Sequence, residues 1–282
     1  MSQLSFQRRL RANWRMLRVG CHLARGLGTV QFVFPFLSPE RRRAVKQRWA
    51  RKLVDILGIR LRQESIDLPP GSLVVSNHIS WIDIFVINAL TPTTFVCKDD
   101  VRGWPIIGWL VEHTGTVFIE RGSRAAAVRT GEVISQRLQA GERIVFFPEG
   151  TTTDGSQLLP FRAALFQTAA ESAAVAPLAL RYVNADGARH PAPAYDGDIT
   201  FGECMRAIAQ ADDLFATVEG LPLLPANLDR RELAVQSHRM LAVALGVASD
   251  TADVVGESEG PADEYSPLDA EENVALQSAP GC

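Results

Sequence analysis

Hydrophobic and polar positions follow two different periods along this chain. Before Gly58, apolar residues recur every three or four positions, which indicates helices. The first stripe has arginines at many of the positions between its members, and it comprises Phe6, Leu10, Trp14, Leu17 and Cys21. A second helix is predicted between Ser38, a suitable N-cap followed by Pro39, and Gly58, a suitable C-terminal residue. Its apolar stripe comprises Val45, Trp49, Leu53 and Ile56.

The segment between these two helices, residues 27–37, is apolar but contains Pro35. It is shorter than the ~20 apolar residues of a membrane-spanning helix. We therefore expect an interfacial or re-entrant segment, with a single span that includes residues 17–26 as the alternative.

Charge is distributed very unevenly. Residues 1–62 hold 15 lysines and arginines against two acids, a formal charge of +13. A cationic amphipathic helix pair of this kind is typical of attachment to anionic membrane lipids. The alternative for the second helix is packing on the core with its basic face in water. We expect no binding to nucleic acid, because no aromatic platform or known motif accompanies the charge.

From Gly71 onward, short apolar runs alternate with helical stretches. The predicted strands are 73–75, 116–119, 144–147 and 175–180, and the predicted helices are 81–90, 123–139, 160–173 and 228–246. This alternation favours an α/β fold with a mostly buried sheet. From Ser249 the chain has nine acids, no lysine or arginine and no periodicity, which predicts disorder. We therefore expect membrane-associating helices over 1–62, a catalytic domain over 63–248 and an acidic tail over 249–282.

Four widely spaced cysteines without a CxxC pattern are typical of free thiols in a reducing compartment. No secretory signal fits the arginine-rich N-terminus. No cluster of metal-binding residues is evident, so we expect no metal site and no bound cofactor.

Candidate chemistry begins at Ser76-Asn77-His78-Ile79-Ser80-Trp81-Ile82-Asp83. Residues five apart on one helix cannot touch, because they lie about 140° apart around its axis. His78 and Asp83 can meet only if His78 lies on a loop and Asp83 lies in the first turn of the next helix. The carboxylate would then orient the imidazole and leave its second nitrogen free as a general base. The alternative is an N-terminal capping acid beside a structural histidine.

Two further strands end in polar residues. Thr116–Ile119 is followed by Glu120 and Arg121, and a guanidinium there suits a phosphate or carboxylate. Residues 144–147 are followed by Pro148-Glu149-Gly150-Thr151. Glu149 could hold a hydroxyl of a polyol, and Gly150 would let a ligand approach the backbone.

In these blocks the chain resembles the lysophospholipid acyltransferase family, of the bacterial 1-acyl-sn-glycerol-3-phosphate acyltransferase type. The matching blocks are NHISWID (77–83), GTVFIERG (115–122), VFFPEGTTTDG (145–155) and VAPLAL (175–180). The resemblance implies a mixed sheet flanked by helices. One departure is Phe161-Arg162-Ala163-Ala164, where many members have lysine at the second position and glycine at the fourth. This departure leaves the acceptor headgroup open.

The resemblance also implies roles for single residues. His78 would be the base and Asp83 its orienting partner. Contacts to substrate are implied at Arg121 for the phosphate, at Glu149, Gly150 and Thr151 for the glycerol part, at Arg162 for the headgroup and at Pro177 for the acyl-donor side. The implied donor is acyl-CoA or acyl carrier protein, which would be a co-substrate rather than a bound cofactor. The implied location is the cytoplasmic face of the inner membrane, peripheral or monotopic.

The expected reaction is acyl transfer to the free hydroxyl of 1-acyl-sn-glycerol-3-phosphate, giving phosphatidic acid. We expect backbone N–H groups near Ser80 to stabilise the oxyanion. The alternatives are another lysolipid acceptor such as lyso-ornithine lipid, a non-catalytic membrane-binding protein that keeps the fold, and a thioesterase that uses water.

Overall fold

The computed structural model describes residues 3–64, 66–103, 107–119 and 124–248. The predicted acidic tail over 249–282 lies outside the described residues. Within them the fold is α/β, as predicted. The helices are α1 (Gln3–Phe32), α2 (Pro39–Leu57), α3 (Asp83–Leu90), α4 (Ile107–His113), α5 (Arg124–Gln139), α6 (Phe201–Gln210) and α7 (Arg230–Leu245).

The strands form one mixed sheet in the order β1-β7-β6-β2-β5-β3-β4. Only the β6–β7 pair among these neighbours is antiparallel. Their bounds are β1 (Arg60–Glu64), β2 (Leu73–Ser76), β3 (Thr94–Lys98), β4 (Val117–Ile119), β5 (Ile144–Phe146), β6 (Val175–Val183) and β7 (Phe215–Gly220). The central strands β2, β5 and the first half of β6 are buried and consist largely of apolar residues, as expected for strands covered by helices on both faces.

The N-terminal helices form a hairpin. Helix α1 continues to Phe32, so the segment predicted to be interfacial or re-entrant is partly helical and ends in a 3-10 turn over Phe34–Phe36. His22 of α1 and Trp49 of α2 stack at 4.6 Å between ring centroids. Across the same contact, Trp49 Nε1 donates to the carbonyl of His22. In the part of the chain that the structure describes, no helix is long and apolar enough to cross a membrane.

Helix α2 begins and ends as predicted. Ser38 accepts the N–H of Arg41, and Gly58 has a φ of +82°, in the left-handed region. The apolar stripe packs on α3 and the sheet, because Leu53 and Ile56 belong to the same buried cluster as Ile82 and Val86. For α2, the structure therefore agrees with the alternative in which this helix packs on the core.

Side chains of α2 also satisfy backbone carbonyls at the carboxyl end of α3 and in the loop just after it, because the last carbonyls of a helix lack helical partners. Lys46 Nζ donates to the carbonyl of Thr93 at 2.8 Å, and Gln47 donates to that of Leu90 at 3.1 Å. The predicted boundary at residue 62 falls inside β1, so α2 and β1 are built into the α/β core.

One predicted helix is wrong. Residues 160–173 form two short 3-10 turns, Ala163–Phe166 and Ala169–Glu171, instead of an α-helix. Backbone amides of this segment bond to distant carbonyls: Arg162 N–H donates to Pro148, and Ala173 N–H donates to Gly71. Other amides of the segment, such as those of Gln167 and Ser172, bond to carbonyls three residues back instead of four.

Candidate active site

The candidate active site lies where two adjacent parallel strands end. Strands β2 and β5 pair directly, with Val75 opposite Phe146. Because the carboxyl ends of parallel neighbours meet at one edge of a sheet, the loops after β2 and β5 are brought together. His78 lies on the first loop and Glu149 on the second.

The predicted contact between His78 and Asp83 is confirmed. His78 Nδ1 lies 2.8 Å from Asp83 Oδ2, and α3 begins at Asp83, so the histidine is on the loop before the helix. Asp83 is fully buried, at 0% exposed. A hydrogen on Nδ1 faces the carboxylate, which leaves Nε2 of the neutral ring as the basic nitrogen.

The backbone around Asp83 restricts which amides could stabilise an oxyanion. The N–H groups of Ile79 and Ser80 donate to Asp83 Oδ2 at 2.8 and 2.9 Å. These two amides are therefore committed to the carboxylate and are not available as oxyanion donors, whereas the other amides at the start of α3 stay a prediction. The physical role of the two committed amides is to fold the loop around the buried carboxylate and to satisfy it with hydrogen bonds.

The imidazole of His78 is held on its face as well as at its edge. Its ring stacks on that of Phe147, with centroids 3.9 Å apart and planes 8° from parallel. Its side chain remains 20% exposed, and no hydrogen bond from the described residues reaches Nε2. The basic nitrogen is therefore open to a substrate.

Glu149 lies behind this loop. It is 4% exposed, and its two oxygens accept the N–H of His78 at 2.8 Å and the N–H of Leu159 at 2.9 Å. Burial and the negative charge of Asp83 raise the pKa of Glu149 to about 7, although the two amide bonds oppose that rise. The carboxylate thus joins the loop after β2 to the loop after β5.

A cation lies beside this acid. Gly150 has a φ of +76°, and a Cβ built there would lie 3.0 Å from Cζ of Arg162. The absent side chain at Gly150 therefore lets the Arg162 guanidinium lie over the loop. Arg162 and Thr151 are both exposed at this edge. The structure therefore brings four predicted residues close together: Glu149, Gly150, Thr151 and Arg162.

The other predicted contacts differ in position. Pro177 is buried within β6, opposite Val75, below the edge of the sheet. Arg121 lies outside the described residues. In the described ranges, no group of three or more His, Cys, Asp or Glu side chains could hold a metal ion.

Sequence reasoning missed two contacts that come from β6. The Tyr182 hydroxyl donates to Asp83 Oδ1 at 2.7 Å. The side-chain amide of Asn77 pairs with both backbone groups of Leu180, at 3.0 and 2.9 Å. The alternation along β6 could have placed Tyr182 and Leu180 on one face, but only the sheet order shows that this face meets α3.

Residues 59–181 match the family model described as Acyltransferase. A 1-acyl-sn-glycerol-3-phosphate acyltransferase of Neisseria gonorrhoeae is 34% identical over 69% of this chain and 76% of its own length. A lyso-ornithine lipid O-acyltransferase of Pseudomonas aeruginosa is 33% identical over 86% of this chain and 97% of its own. This chain belongs to the acyltransferase family.

The fold of this acyltransferase matches a solved relative. The crystal structure of the 1-acyl-sn-glycerophosphate (LPA) acyltransferase from Thermotoga maritima superposes with a TM-score of 0.62, over 86% of this chain and 97% of the other. Sequence identity is 16%, so this likeness establishes the fold alone. The mixed sheet flanked by helices is thereby confirmed.

Proposed function

We propose that this acyltransferase moves a fatty acyl group from an acyl thioester to the free hydroxyl of 1-acyl-sn-glycerol-3-phosphate. The donor is acyl-CoA or acyl carrier protein. The observation that carries the proposal is the dyad of His78 and Asp83, with the carboxylate buried and the imidazole partly exposed. The named relative of Neisseria gonorrhoeae supports the choice of acceptor.

In the proposed reaction, His78 Nε2 takes the proton of the acceptor hydroxyl while its oxygen attacks the thioester carbonyl. The C–O bond forms, the C–S bond breaks, and the proton passes from the imidazolium to the leaving thiolate. General-base help of this kind contributes ~10²–10⁴-fold to the rate. Asp83 stabilises the imidazolium, because its buried charge lies 2.8 Å from Nδ1.

Arg162 is proposed to bind the acceptor phosphate. It is exposed beside Gly150, and a guanidinium presents several donors in one plane to phosphate oxygens. Arg121, implied by resemblance as a second phosphate contact, stays a prediction. Glu149 is proposed to hold the loop of His78 in place. Its contact with the glycerol part of the acceptor, implied by resemblance, also stays a prediction.

The decisive experiment is a product assay by mass spectrometry on purified protein. It offers several lysolipid acceptors with acyl-CoA and acyl carrier protein as donors. We expect phosphatidic acid from the wild type and none from His78→Ala, with the variant still folded. Loss of a general base should lower turnover by at least ~10²-fold. A variant that retains more than about a tenth of wild-type turnover would therefore rule out the base role. Free fatty acid instead of acylated product would indicate hydrolysis.

Lyso-ornithine lipid is the second candidate acceptor. The relative of Pseudomonas aeruginosa that carries that name aligns with nearly its whole length, which supports this alternative. Its headgroup differs from a phosphate, and the alanine at position 164 departs from the glycine of many family members. The same assay decides between the acceptors, because the two products differ in mass.

The N-terminal hairpin is proposed to attach the enzyme to anionic lipid at the cytoplasmic face of the inner membrane. The face of α1 turned away from the protein carries a stripe of exposed apolar side chains, Phe6, Leu10, Trp14 and Leu17. On another face, Arg8 pairs with Asp212 and Arg15 donates to the carbonyls of Ala209 and Ala211. These arginines fix α1 to the domain and leave the apolar stripe free to enter lipid.

A further inference from the structure

The carboxylate of Asp83 is held by donors on both of its oxygens. Oδ2 faces His78 Nδ1 and accepts the N–H groups of Ile79 and Ser80. Oδ1 accepts the hydroxyl of Tyr182 at 2.7 Å. Three of the donors come from the loop that precedes Asp83, whereas the phenol comes from a strand 99 residues away.

The position of Tyr182 depends on the motif that carries the histidine. Strand β6 continues beyond the end of β2, and Asn77 pairs its side-chain amide with Leu180 where the ladder ends. Because side chains two apart share one face of a strand, Leu180 and Tyr182 both face α3. Both belong to the buried cluster that contains Ile82 and Val86. The phenol is therefore directed at the first turn of α3 by a side chain adjacent to His78.

We propose that Tyr182 is a positioning residue for acyl transfer, which fixes the rotation of the Asp83 carboxylate so that Oδ2 stays aligned with the imidazole of His78. This inference rests on the base role proposed for His78. The phenol does not reach the reacting atoms. It acts by occupying Oδ1, which is buried and would otherwise have to turn toward another donor.

The chemical state of Tyr182 suits this role. Burial, and then the neighbouring charge of Asp83, raise the pKa of the Tyr182 phenol well above its ordinary value. The phenol therefore stays protonated, and donates its hydrogen bond, across the pH range around neutrality. The positive end of its O–H dipole lies against Asp83, so removing it leaves the carboxylate charge less compensated. The imidazole of His78, which faces Oδ2 of the same carboxylate, would experience that change in charge.

The test compares Tyr182→Phe with Thr217→Val in the full chain, using the acyl donor and the acceptor that the wild type accepts. Thr217 is a buried hydroxyl on the neighbouring strand β7, so its removal controls for loss of a buried polar group. We expect Tyr182→Phe to lower kcat by about 10- to 100-fold, the range for a hydrogen bond to a charged group. We expect the acceptor KM to stay near wild type and the acidic limb of kcat/KM to move to higher pH. Thr217→Val should leave kcat and the acidic limb near those of the wild type.

A second measurement does not depend on turnover. The hydrogen on His78 Nδ1 should give a downfield proton resonance, assigned by its disappearance in His78→Ala. We expect this signal to shift or broaden in Tyr182→Phe and to remain in Thr217→Val. The ionisable neighbours Glu149 and Cys204 are unchanged in both variants, so the comparison isolates the phenol.

The outcomes separate this inference from the proposed function. An active wild type, an inactive His78→Ala and a Tyr182→Phe with wild-type kcat and an unmoved acidic limb would overturn the inference alone. A lower kcat with an unmoved limb and an unchanged resonance would also overturn it, because it would show only a structural role. A folded wild type that acylates none of the acceptors would overturn the proposed function and the inference with it.

Discussion

Glu149 Oε1 accepts the backbone N–H of His78 at 2.8 Å, so an acid on one loop fixes the main chain of the candidate base on another. Its second oxygen accepts Leu159 N–H, and the side chain is 4% exposed. The dyad is thus held from two sides. Asp83 orients the ring of His78, and Glu149 orients its backbone.

Glu149→Gln should change the pH dependence of stability. The pKa of Glu149 is raised from 4.5 to about 7 in the folded chain, so the folded state binds this proton more tightly than the unfolded state. That contribution to the free energy of unfolding is fully present below pH 4.5 and is lost as the pH rises through about 7. Glutamine does not titrate. The free energy of unfolding of wild type minus that of the variant should therefore fall across this window.

Urea unfolding at about pH 3.5 and about pH 8, on either side of the ordinary and the raised pKa of Glu149, measures this difference. Glu232→Gln is the matched control, because Glu232 is exposed and lies in the first turn of α7. It should give a nearly constant difference. A Glu149→Gln difference that stays constant, or that increases with pH, would contradict the prediction.

Asp83→Asn should lower kcat by ~10²–10⁴-fold, the contribution of general-base catalysis. The asparagine keeps the size of the side chain but loses the charge that stabilises the imidazolium at 2.8 Å. Hydrogen bonds to an ionised acceptor are roughly twice as strong as neutral ones, so we also expect a lower free energy of unfolding. Steady-state acyl transfer and thermal unfolding check both effects.

The matched control is Asp186→Asn, a change at an exposed turn, which should alter neither quantity. General-base catalysis contributes at least ~10²-fold. If Asp83→Asn kept more than about a tenth of wild-type kcat, the loss would be smaller than that contribution, and Asp83 would not support the base.

Much of the site could be predicted because it is local in sequence. His78 and Asp83 are five residues apart, and the break between strand and helix follows from the apolar run before Asn77 and the polar residues after it. The loop at Glu149 follows its own apolar strand in the same way. Both loops meet because β2 and β5 are parallel neighbours, which an α/β pattern makes probable without specifying the order of strands.

The missed elements are those whose pattern is set by distant neighbours. Strand β1 reads Arg60-Leu61-Arg62-Gln63-Glu64, and its charges are tolerated because it pairs only with β7 in the described sheet. The segment predicted as a helix at 160–173 is alanine-rich, but its amides bond to Pro148 and Gly71. The contact of Tyr182 with Asp83 depends on the strand order, which one sequence does not specify.

Gly150→Ala should raise the KM for the acceptor in addition to lowering the stability of the fold. Alanine at a φ of +76° is strained, and its Cβ would displace the Arg162 guanidinium, whose nearest atoms lie at 3.0 Å. Gly187→Ala is the control, because Gly187 has a φ of +84° and open space around it. Both variants should lose about 1 kcal/mol of unfolding free energy from the backbone. Only Gly150→Ala should also weaken acceptor binding, and equal KM values would contradict the proposed role of Arg162.

Removing the apolar stripe of α1 should release the enzyme from lipid without unfolding it. Leu10 and Trp14 are 61% and 59% exposed, so Leu10→Ser with Trp14→Ser removes few core contacts. Deleting residues 1–62 would be a poorer test, because α2 contributes Leu53 and Ile56 to the core. Each apolar side chain that becomes buried in lipid contributes ~1.5–3 kcal/mol. The double variant should therefore bind anionic vesicles at least about tenfold more weakly.

Co-sedimentation with vesicles of phosphatidylglycerol and phosphatidylcholine measures this binding, and thermal unfolding checks the fold. Val243→Ser is the matched control, since Val243 is an even more exposed apolar residue, at 75%, on α7. It should leave vesicle binding unchanged. The exposed cations of the hairpin attract anionic lipid through electrostatics that salt screens. Added salt should therefore weaken vesicle binding of the wild type, and it should release the double variant at a lower ionic strength than the wild type. A double variant that sediments like the wild type at every salt concentration would place membrane attachment elsewhere on the molecule.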